Sequence, residues 1–425
     1  MEVRLGYRKT EVGVIPQDWD TPSLESLGAG PTPAIKAGPF GSSLTKDQYV
    51  PDGYKVYGQE QVIRGDYLYG DYFISTKKYR DLESCAVRPG DVLLSLVGTI
   101  GRLLEIPHGA PSGVINPRLI RFSFDKKRVL PRFFKYQFES SGIQSLLGRQ
   151  AQGGTMGVLN AGTLRPFRIP LPPLPEQRTI AAALSDMDSL LNGLERIIAK
   201  KRDLKQAAMQ QLLSGQTRLA GFQGKWIEQQ LGSSATLKAR IGWQGLTTAE
   251  YQETGDFFLV TGTEIKNGHI DWKSCHFVDE ARYKQDKYIQ LRKWDLLVTK
   301  DGTIGKVALV VDLPIPATLN SGVFVIRPVN HSFHPEFFYF ILCSQIFRNF
   351  LSQLSAGSTI NHLYQKDFVK FSYLLPPTVS EQKAIAEVLS NMDAELSALE
   401  ARRDKTRNLK QAMMQELLTG RTRLV

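Results

Sequence analysis

Cysteine is scarce in this chain. Three residues among 425, Cys85, Cys275 and Cys343, are scattered and odd in number. They form neither a disulfide framework nor a zinc ligand set, and buried thiols are expected. The six histidines, His108, His269, His276, His331, His334 and His362, make no ligand cluster with cysteine or carboxylate; His331 and His334 stand three apart in what reads as a surface loop. No apolar run approaches the ~18 residues of a membrane span. The polar stretch from Met1 to Trp19 has no signal-peptide core, so a cytoplasmic location is expected.

The motifs of cofactor and nuclease chemistry are missing as well. Gly302-Thr303-Ile304-Gly305-Lys306 is not a phosphate loop. Such a loop needs four residues between its glycines and Ser or Thr after the lysine; here two residues intervene and Val307 follows, so a strand-to-strand turn is expected. No G-x-G-x-x-G lies between a strand and a helix. Asn116-Pro117-Arg118 lacks the aromatic partner of an adenine methyltransferase motif. Pro51-Asp52 is not followed by an acidic-x-Lys pair for a nuclease metal. No nucleophile–base pair stands out. No catalytic residue and no metal ligand is assigned, and no cofactor is expected in this chain.

What is present is size, core material and positive charge. The length exceeds one ordinary domain. Apolar residues make up 42% and aromatic residues 10% of the chain, enough for each unit to bury a core, and 22% charged residues without low-complexity runs argue against disorder. The net charge of +11 suits a polyanionic partner, most often nucleic acid.

The chain is written twice. Glu176-Gln177 through Thr217-Arg218-Leu219 returns as Glu381-Gln382 through Thr422-Arg423-Leu424 at a constant offset of 205, with more than half of the positions identical. Upstream fragments correspond at an offset of 204: Gly98-Thr99-Ile100-Gly101 with Gly302-Thr303-Ile304-Gly305, Pro131-Arg132-Phe133-Phe134 with Pro335-Glu336-Phe337-Phe338, and Gly153-Gly154-Thr155 with Gly357-Ser358-Thr359. After the first helical copy come Trp226 and Leu231-Gly232, whereas the second stops at Val425; its continuation resembles Trp19 and Leu27-Gly28 at the N-terminus. The repeat is circularly arranged, so the two chain ends are expected to lie close together and to complete a pseudo-twofold object.

The repeated segments read as helices. Ile180, Leu184, Met187, Leu191, Leu194 and Ile198 follow steps of four and three, as do Ile385, Leu389, Met392, Leu396 and Leu399; this is a coiled-coil seam. Pro172-Pro173 and Pro376-Pro377 stop helix upstream, and Gly215 and Gly420 sit where a C-terminal cap belongs. About 40 residues at ~1.5 Å each give a rod of ~60 Å. Antiparallel pairing of the two helices is expected. The expected architecture is therefore mixed α/β: a globular unit over 1–170, a helical spacer over 171–219, a second globular unit over 220–374 and a second spacer over 375–425. Single helices are expected over Pro131–Leu147 and Pro335–Leu354.

Each globular part opens on a glycine-rich basic stretch, Lys36-Ala37-Gly38-Pro39-Phe40-Gly41-Ser42-Ser43-Leu44 with Lys46, and Lys238-Ala239-Arg240-Ile241-Gly242-Trp243-Gln244-Gly245-Leu246-Thr247. Glycine lets a backbone approach a groove closely. Lys36, Lys46, Lys238 and Arg240 can meet phosphates, while Ser42, Ser43, Gln244 and Thr247 can bond base edges. Phe40 and Trp243 are candidates too, against the alternative of packing into the core. Lys77, Lys78, Arg80, Lys300 and Lys306 are further basic candidates.

The double layout, the near-identical helices, Pro173-Leu174-Pro175-Glu176-Gln177, the Gly-Thr-Ile-Gly turns and the two openings together resemble the specificity subunit of type I restriction–modification systems, over nearly the whole chain. The second copy departs from the proline-rich entry with Thr378-Val379-Ser380 but keeps Glu381-Gln382. The resemblance implies two target-recognition domains, each reading one half of a split, asymmetric site in double-stranded DNA. It implies that the paired helices set the gap and, with adjoining domain surfaces, dock two methyltransferase subunits, and that two ATP-dependent motor-nuclease subunits complete the complex. S-adenosylmethionine, ATP and Mg are then expected in those partners, and the chain itself is a non-catalytic subunit with no membrane partner. Two other readings compete with it: an enzyme whose nuclease or methyltransferase activity cleaves or modifies DNA directly, and a protein-interaction scaffold indifferent to DNA.

Overall fold

A computed structural model describes residues 4–30, 32–96, 99, 101–145, 160–355 and 362–424, leaving aside the side chains of Trp243 and Ser355. The fragments 153–155 and 357–359, and most of 97–100, lie outside the described residues. The chain divides into two compact units. One comprises Met1–Glu195 with Ala401–Val425, the other Arg196–Glu400. Each long helix, Leu174–Leu213 and Val379–Leu417, gives one half to each unit.

The first unit holds a four-stranded antiparallel sheet in the order Ile35–Ala37, Leu119–Phe122, Val92–Ser95, Leu103–Glu105. A second sheet runs Phe73–Ile74, Tyr54–Tyr57, Gly113–Ile115, Ala86–Val87, with its central pair parallel. The second unit repeats the plan. Its antiparallel sheet is ordered Ala235–Lys238, Val323–Pro328, Leu296–Thr299, Val307–Leu309. A three-stranded sheet pairs Phe257–Val260 in parallel with Ala317–Leu319 and antiparallel with His276–Val278. The apolar strands Val92–Ser95 and Leu296–Thr299 are buried along their whole length. They are central strands covered on both faces, which is why they show no alternation.

In both units the expected single helix is broken in two. Helix Pro131–Glu139 stops at Ser140 and Pro335–Cys343 stops at Ser344, both extended. Each serine hydroxyl bonds back to the carbonyl three residues earlier, Gln137 and Ile341, at 2.7 Å. The side chain thus offers the backbone an alternative to the next helical turn. Helix Gln345–Ser355 resumes after the break in the second unit.

The helix halves pack antiparallel within each unit. In the first, Asp188 pairs with Lys410 and Glu195 with Arg407; in the second, Lys201 pairs with Glu395 and Lys205 with Asp393. Rising numbers on one helix meet falling numbers on the other. Of the proposed seam, Ile180, Leu184, Leu194, Ile198, Ile385, Leu389 and Leu396 are buried, whereas Met187, Leu191, Met392 and Leu399 are half-buried. The first core draws in Ile180, Leu184, Leu417 and Leu418; the second draws in Leu212, Leu213, Ile385 and Leu389. Amphipathic helices of this length gain most of their stability from such packing.

One device closes each unit. Glu176, 2% exposed, accepts from Arg423 at 2.6 and 2.9 Å and from the Trp19 indole at 2.9 Å. Glu381 accepts from Arg218 at 2.6 and 2.7 Å and from the Trp226 indole at 3.4 Å. The adjacent glutamines also match: the Gln177 carbonyl accepts from Leu130 N–H, and that of Gln382 from His334 N–H. Gly215 and Gly420 take φ of +73° and +70°, the left-handed end that a helix C-terminus wants, beside Trp226 and Trp19 respectively. In the first unit the tryptophan comes from the N-terminus and the arginine from the C-terminus. The chain ends therefore meet, as the circular repeat requires, and Tyr7 Oη donates to the Gly420 carbonyl at 2.8 Å.

Candidate nucleic-acid interface

In the first unit, strand Ile35–Ala37 leads into Gly38-Pro39-Phe40 and a short turn over Gly41–Ser43. The base of this loop is anchored by backbone. Gly38 N–H donates to Leu119 O at 2.9 Å, and a Cβ on Gly38 would stand 1.9 Å from the Asn116 carbonyl oxygen. Only glycine fits that approach. The far side is pinned by buried Leu44 and by Thr45, which caps the turn Lys46–Gln48. Between the anchors, Phe40 is 89% exposed and Ser42 is exposed, while Lys36 and Ser43 are half-buried. Exposed Lys46 begins the next turn. Asp47 there is held below its ordinary value, chiefly by the Thr45 hydroxyl and last by the charge of Lys78. Lys77 and Arg80 are exposed and Lys78 is half-buried on helix Thr76–Asp81.

The second unit builds the same loop differently. The turn Gly242–Gln244 follows Ile241, and Leu246 is buried as Leu44 is. The hydroxyl of Thr247 caps Thr248–Glu250 and bonds Glu250 at 3.3 Å. Gln244 is half-buried, Thr247 and Lys238 are exposed, and Lys238 lies over the Tyr288 ring at 5.5 Å. The side chain of Trp243 lies outside the described residues. Arg240 departs from the phosphate contact expected of it. It is 1% exposed, and its guanidinium donates to Leu319 O at 2.8 Å, Gln285 Oε1 at 2.8 Å, Thr318 Oγ1 at 3.2 Å and Arg282 O at 3.4 Å. Burial pushes its pKa down from the ordinary value. With its donors spent inside the unit, it anchors the loop from within.

The residues that lead into each Gly-Thr-Ile-Gly motif lie beside an opening. Leu96 N–H bonds Arg118 O at 3.0 Å, and Lys300 N–H bonds Gly322 O at 2.9 Å. Ser95 Oγ donates to Thr99 O at 2.6 Å and accepts from Arg102 N–H; Thr299 Oγ1 donates to Thr303 O at 2.6 Å and accepts from Lys306 N–H. The second turn, Gly302–Gly305, joins the antiparallel strands Leu296–Thr299 and Val307–Leu309, as expected of it. Lys300 is half-buried over the Phe324 ring at 5.4 Å, and Lys306 donates to Gly262 O at 3.0 Å.

Several residues passed over in the sequence join this surface. Exposed Arg118 sits between the first opening and its turn. Asn320 holds the second opening, accepting from Leu246 N–H at 3.1 Å and donating to Leu246 O at 3.2 Å and Tyr251 Oη at 2.8 Å. Its counterpart Asn116 is at the shared offset of 204, a signal that was available but was read only as a failed catalytic motif. His362 bonds Asp301 next to the second turn.

Among the described residues, no group of three His, Cys, Asp or Glu side chains could hold a metal ion. No helix among them is long and apolar enough to cross a membrane. The fold and site thus define a class: a duplicated α/β protein in which two like frames carry basic, glycine-rich loops. The family model for the type I restriction modification DNA specificity domain matches residues 41–205 and 245–406, and the chain belongs to that family. It is 22% identical to the type I restriction enzyme MjaIX specificity subunit of Methanocaldococcus jannaschii, over 98% of this chain and 96% of that one. It is 23% identical to the EcoBI specificity subunit of Escherichia coli, over 79% and 74%. In fold it resembles the crystal structure of a type I restriction–modification S subunit from M. genitalium, with TM-score 0.58 at 16% identity and 98% of each chain covered.

Proposed function

We propose that this chain reads a bipartite, asymmetric site in double-stranded DNA, one half per unit, and carries no chemistry of its own. The observation that supports this most is the contrast within each unit: the same strands, helix ends and Glu–Arg–Trp closure recur, while the openings differ in sequence and in the way they are anchored. Like frames with unlike loops suit two different half-sites. Exposed Lys46, Lys77, Arg80, Arg118 and Lys238 supply phosphate contacts, and the hydroxyl and amide side chains of the turns supply base contacts.

In this reading the long helices fix the gap between half-sites, because a helix pair holds a distance that a flexible linker does not. The helices and adjoining surfaces dock two methyltransferase subunits, which bring S-adenosylmethionine and modify adenine. Two motor-nuclease subunits add ATP- and Mg-dependent cleavage in the cytoplasm. Methylome sequencing of the host with and without this gene tests the reading: loss of one split adenine-methylation motif is expected, and an unchanged methylome in a host expressing intact partner subunits contradicts it. Insertion of seven residues after Ile198 or Arg403 is expected to lengthen the gap and leave both half-sites unaltered; an unchanged gap removes the ruler.

A further inference from the structure

Phe40 is 89% exposed and Ile241 is 53% exposed. A large apolar side chain held in water gains nothing from the fold, and scattered cases need no explanation. These two are not scattered. Each immediately precedes the glycine-containing turn of its own opening, and each accepts at its carbonyl from the turn's third residue, Phe40 from Ser43 at 2.7 Å and Ile241 from Gln244 at 2.9 Å. Each unit therefore puts an exposed apolar side chain just before its turn, two residues after Gly38 in the first and one after Arg240 in the second.

The two tips are supported by unrelated means. On the entry side the first loop is fixed by the Gly38 backbone against Asn116 and Leu119, the second by the buried Arg240 side chain on Leu319, Thr318 and Gln285. On the exit side Leu44 and Leu246 are both buried. A loop pinned at both ends is a rigid projection, and its rigidity removes the ordering cost that a flexible loop meets on binding. Around the first tip stand Arg118, Lys46 and Ser42, all exposed, and around the second Lys238 and Thr247.

We propose that Phe40 and Ile241 are wedge residues: each enters a base step of the half-site read by its own unit and partly unstacks it. This rests on the DNA reading above and adds to it how the duplex is deformed. Apolar side chains inserted between base pairs kink a duplex, at a cost of a few kcal/mol per step that depends on the step. Each unit then selects a deformable step, pyrimidine–purine above all, at a position where it makes no hydrogen bond to a base. The larger, more exposed Phe40 unstacks its step more than Ile241 does.

The test uses the full chain, with its methyltransferase partner where that is needed for binding, and duplexes enriched from a random pool. 2-Aminopurine is placed at successive steps of each half-site, and its fluorescence is read free and bound. One step in each half-site is expected to brighten on binding. Phe40→Ala is expected to return one of the two to the free-duplex level and leave the other bright; Ile241→Ala does the reverse. Both variants keep the wild-type thermal midpoint, since neither side chain is buried. Bound duplexes that stay dark at every step, or that stay bright in both variants, overturn the wedge while leaving DNA recognition intact. A variant that loses affinity with no wild-type unstacking at any step assigns these residues to the groove wall instead and also overturns it. Failure of the wild type to enrich any duplex overturns the DNA reading and the wedge together.

Discussion

The two units share a frame to the level of individual hydrogen bonds and diverge where the loops are anchored. Glu176 and Glu381, Gln177 and Gln382, and Ser95 and Thr299 make the same bonds in both. Gly38 and Arg240 solve one problem, fixing the base of an exposed loop, by opposite means. The difference teaches that one frame can carry loops anchored in unrelated ways. A change in target then requires new loops but no new architecture, which accords with the general placement of recognition on loops of a rigid scaffold.

The largest effect is expected where the copies agree most. Glu176→Ala removes the buried carboxylate from Arg423, which keeps Asp18, and leaves the Trp19 indole without its acceptor; Glu381→Ala leaves Arg218 with only the Gln223 and Gly224 carbonyls and strips Trp226 of its acceptor. Losing these charge-assisted bonds costs about 3 kcal/mol. Denaturant unfolding is expected to show losses of similar size in the two variants, and a silent variant breaks the equivalence of the frames.

Next comes the point of divergence. Arg240→Met takes the guanidinium from the Leu319 and Arg282 carbonyls and removes one of the two donors of the Gln285 amide oxygen, which Arg282 also reaches, with an expected loss of about 2 kcal/mol from charge-assisted bonds. Gly38→Ala drives a methyl into the Asn116 carbonyl and is expected to cost about 1–3 kcal/mol. If Arg240→Met instead keeps full stability and weakens DNA binding with a flatter salt dependence, Arg240 is a phosphate contact and the contrast between the two anchors is lost.

A smaller contrast concerns the lysines. Exposed Lys46 and half-buried Lys306, whose ammonium is tied to Gly262 O, looked alike as basic candidates. Replacing Lys46 with alanine is expected to reduce the slope of log affinity against log salt by about 1, and replacing Lys306 by less. Titration of a selected duplex at several salt concentrations separates them.

The smallest effect distinguishes the closures in acid. Asp18 sits on Arg423 at 2.8 and 2.9 Å, and that bond holds its carboxyl below the ordinary 3.8. Where the folded value is depressed, the contribution to stability is present above pH ~4 and is lost as pH falls through the folded value. The residue before Trp226 is Lys225, so the second closure has no such group. Asp18→Asn is expected to remove a small part of the acid destabilisation near pH 3, followed by thermal midpoint against pH, with no counterpart at Lys225.

Much of this was legible in the sequence because the repeat supplied its own comparison. The helices, their proline starts and glycine ends, and the meeting of the chain ends all followed from spacing. The breaks at Ser140 and Ser344 did not, since helical periodicity continues across them and only a side-chain hydrogen bond ends the turn. Arg240 was misread because charge in a basic loop looks the same whether it faces a phosphate or four protein acceptors. Phe40 was left between core and surface, because an aromatic after Gly-Pro has no period to place it. Arg118 and Asn320 join the openings through pairings between distant strands, which local patterns do not record.

The central claim is that two like frames carry two unlike readers. Enrichment of duplexes from a random pool by the full chain, with its methyltransferase partner if needed, tests it most directly. The account predicts two short, different motifs separated by an unselected gap of constant length; a single uninterrupted motif, a symmetric pair or no enrichment at all would contradict it.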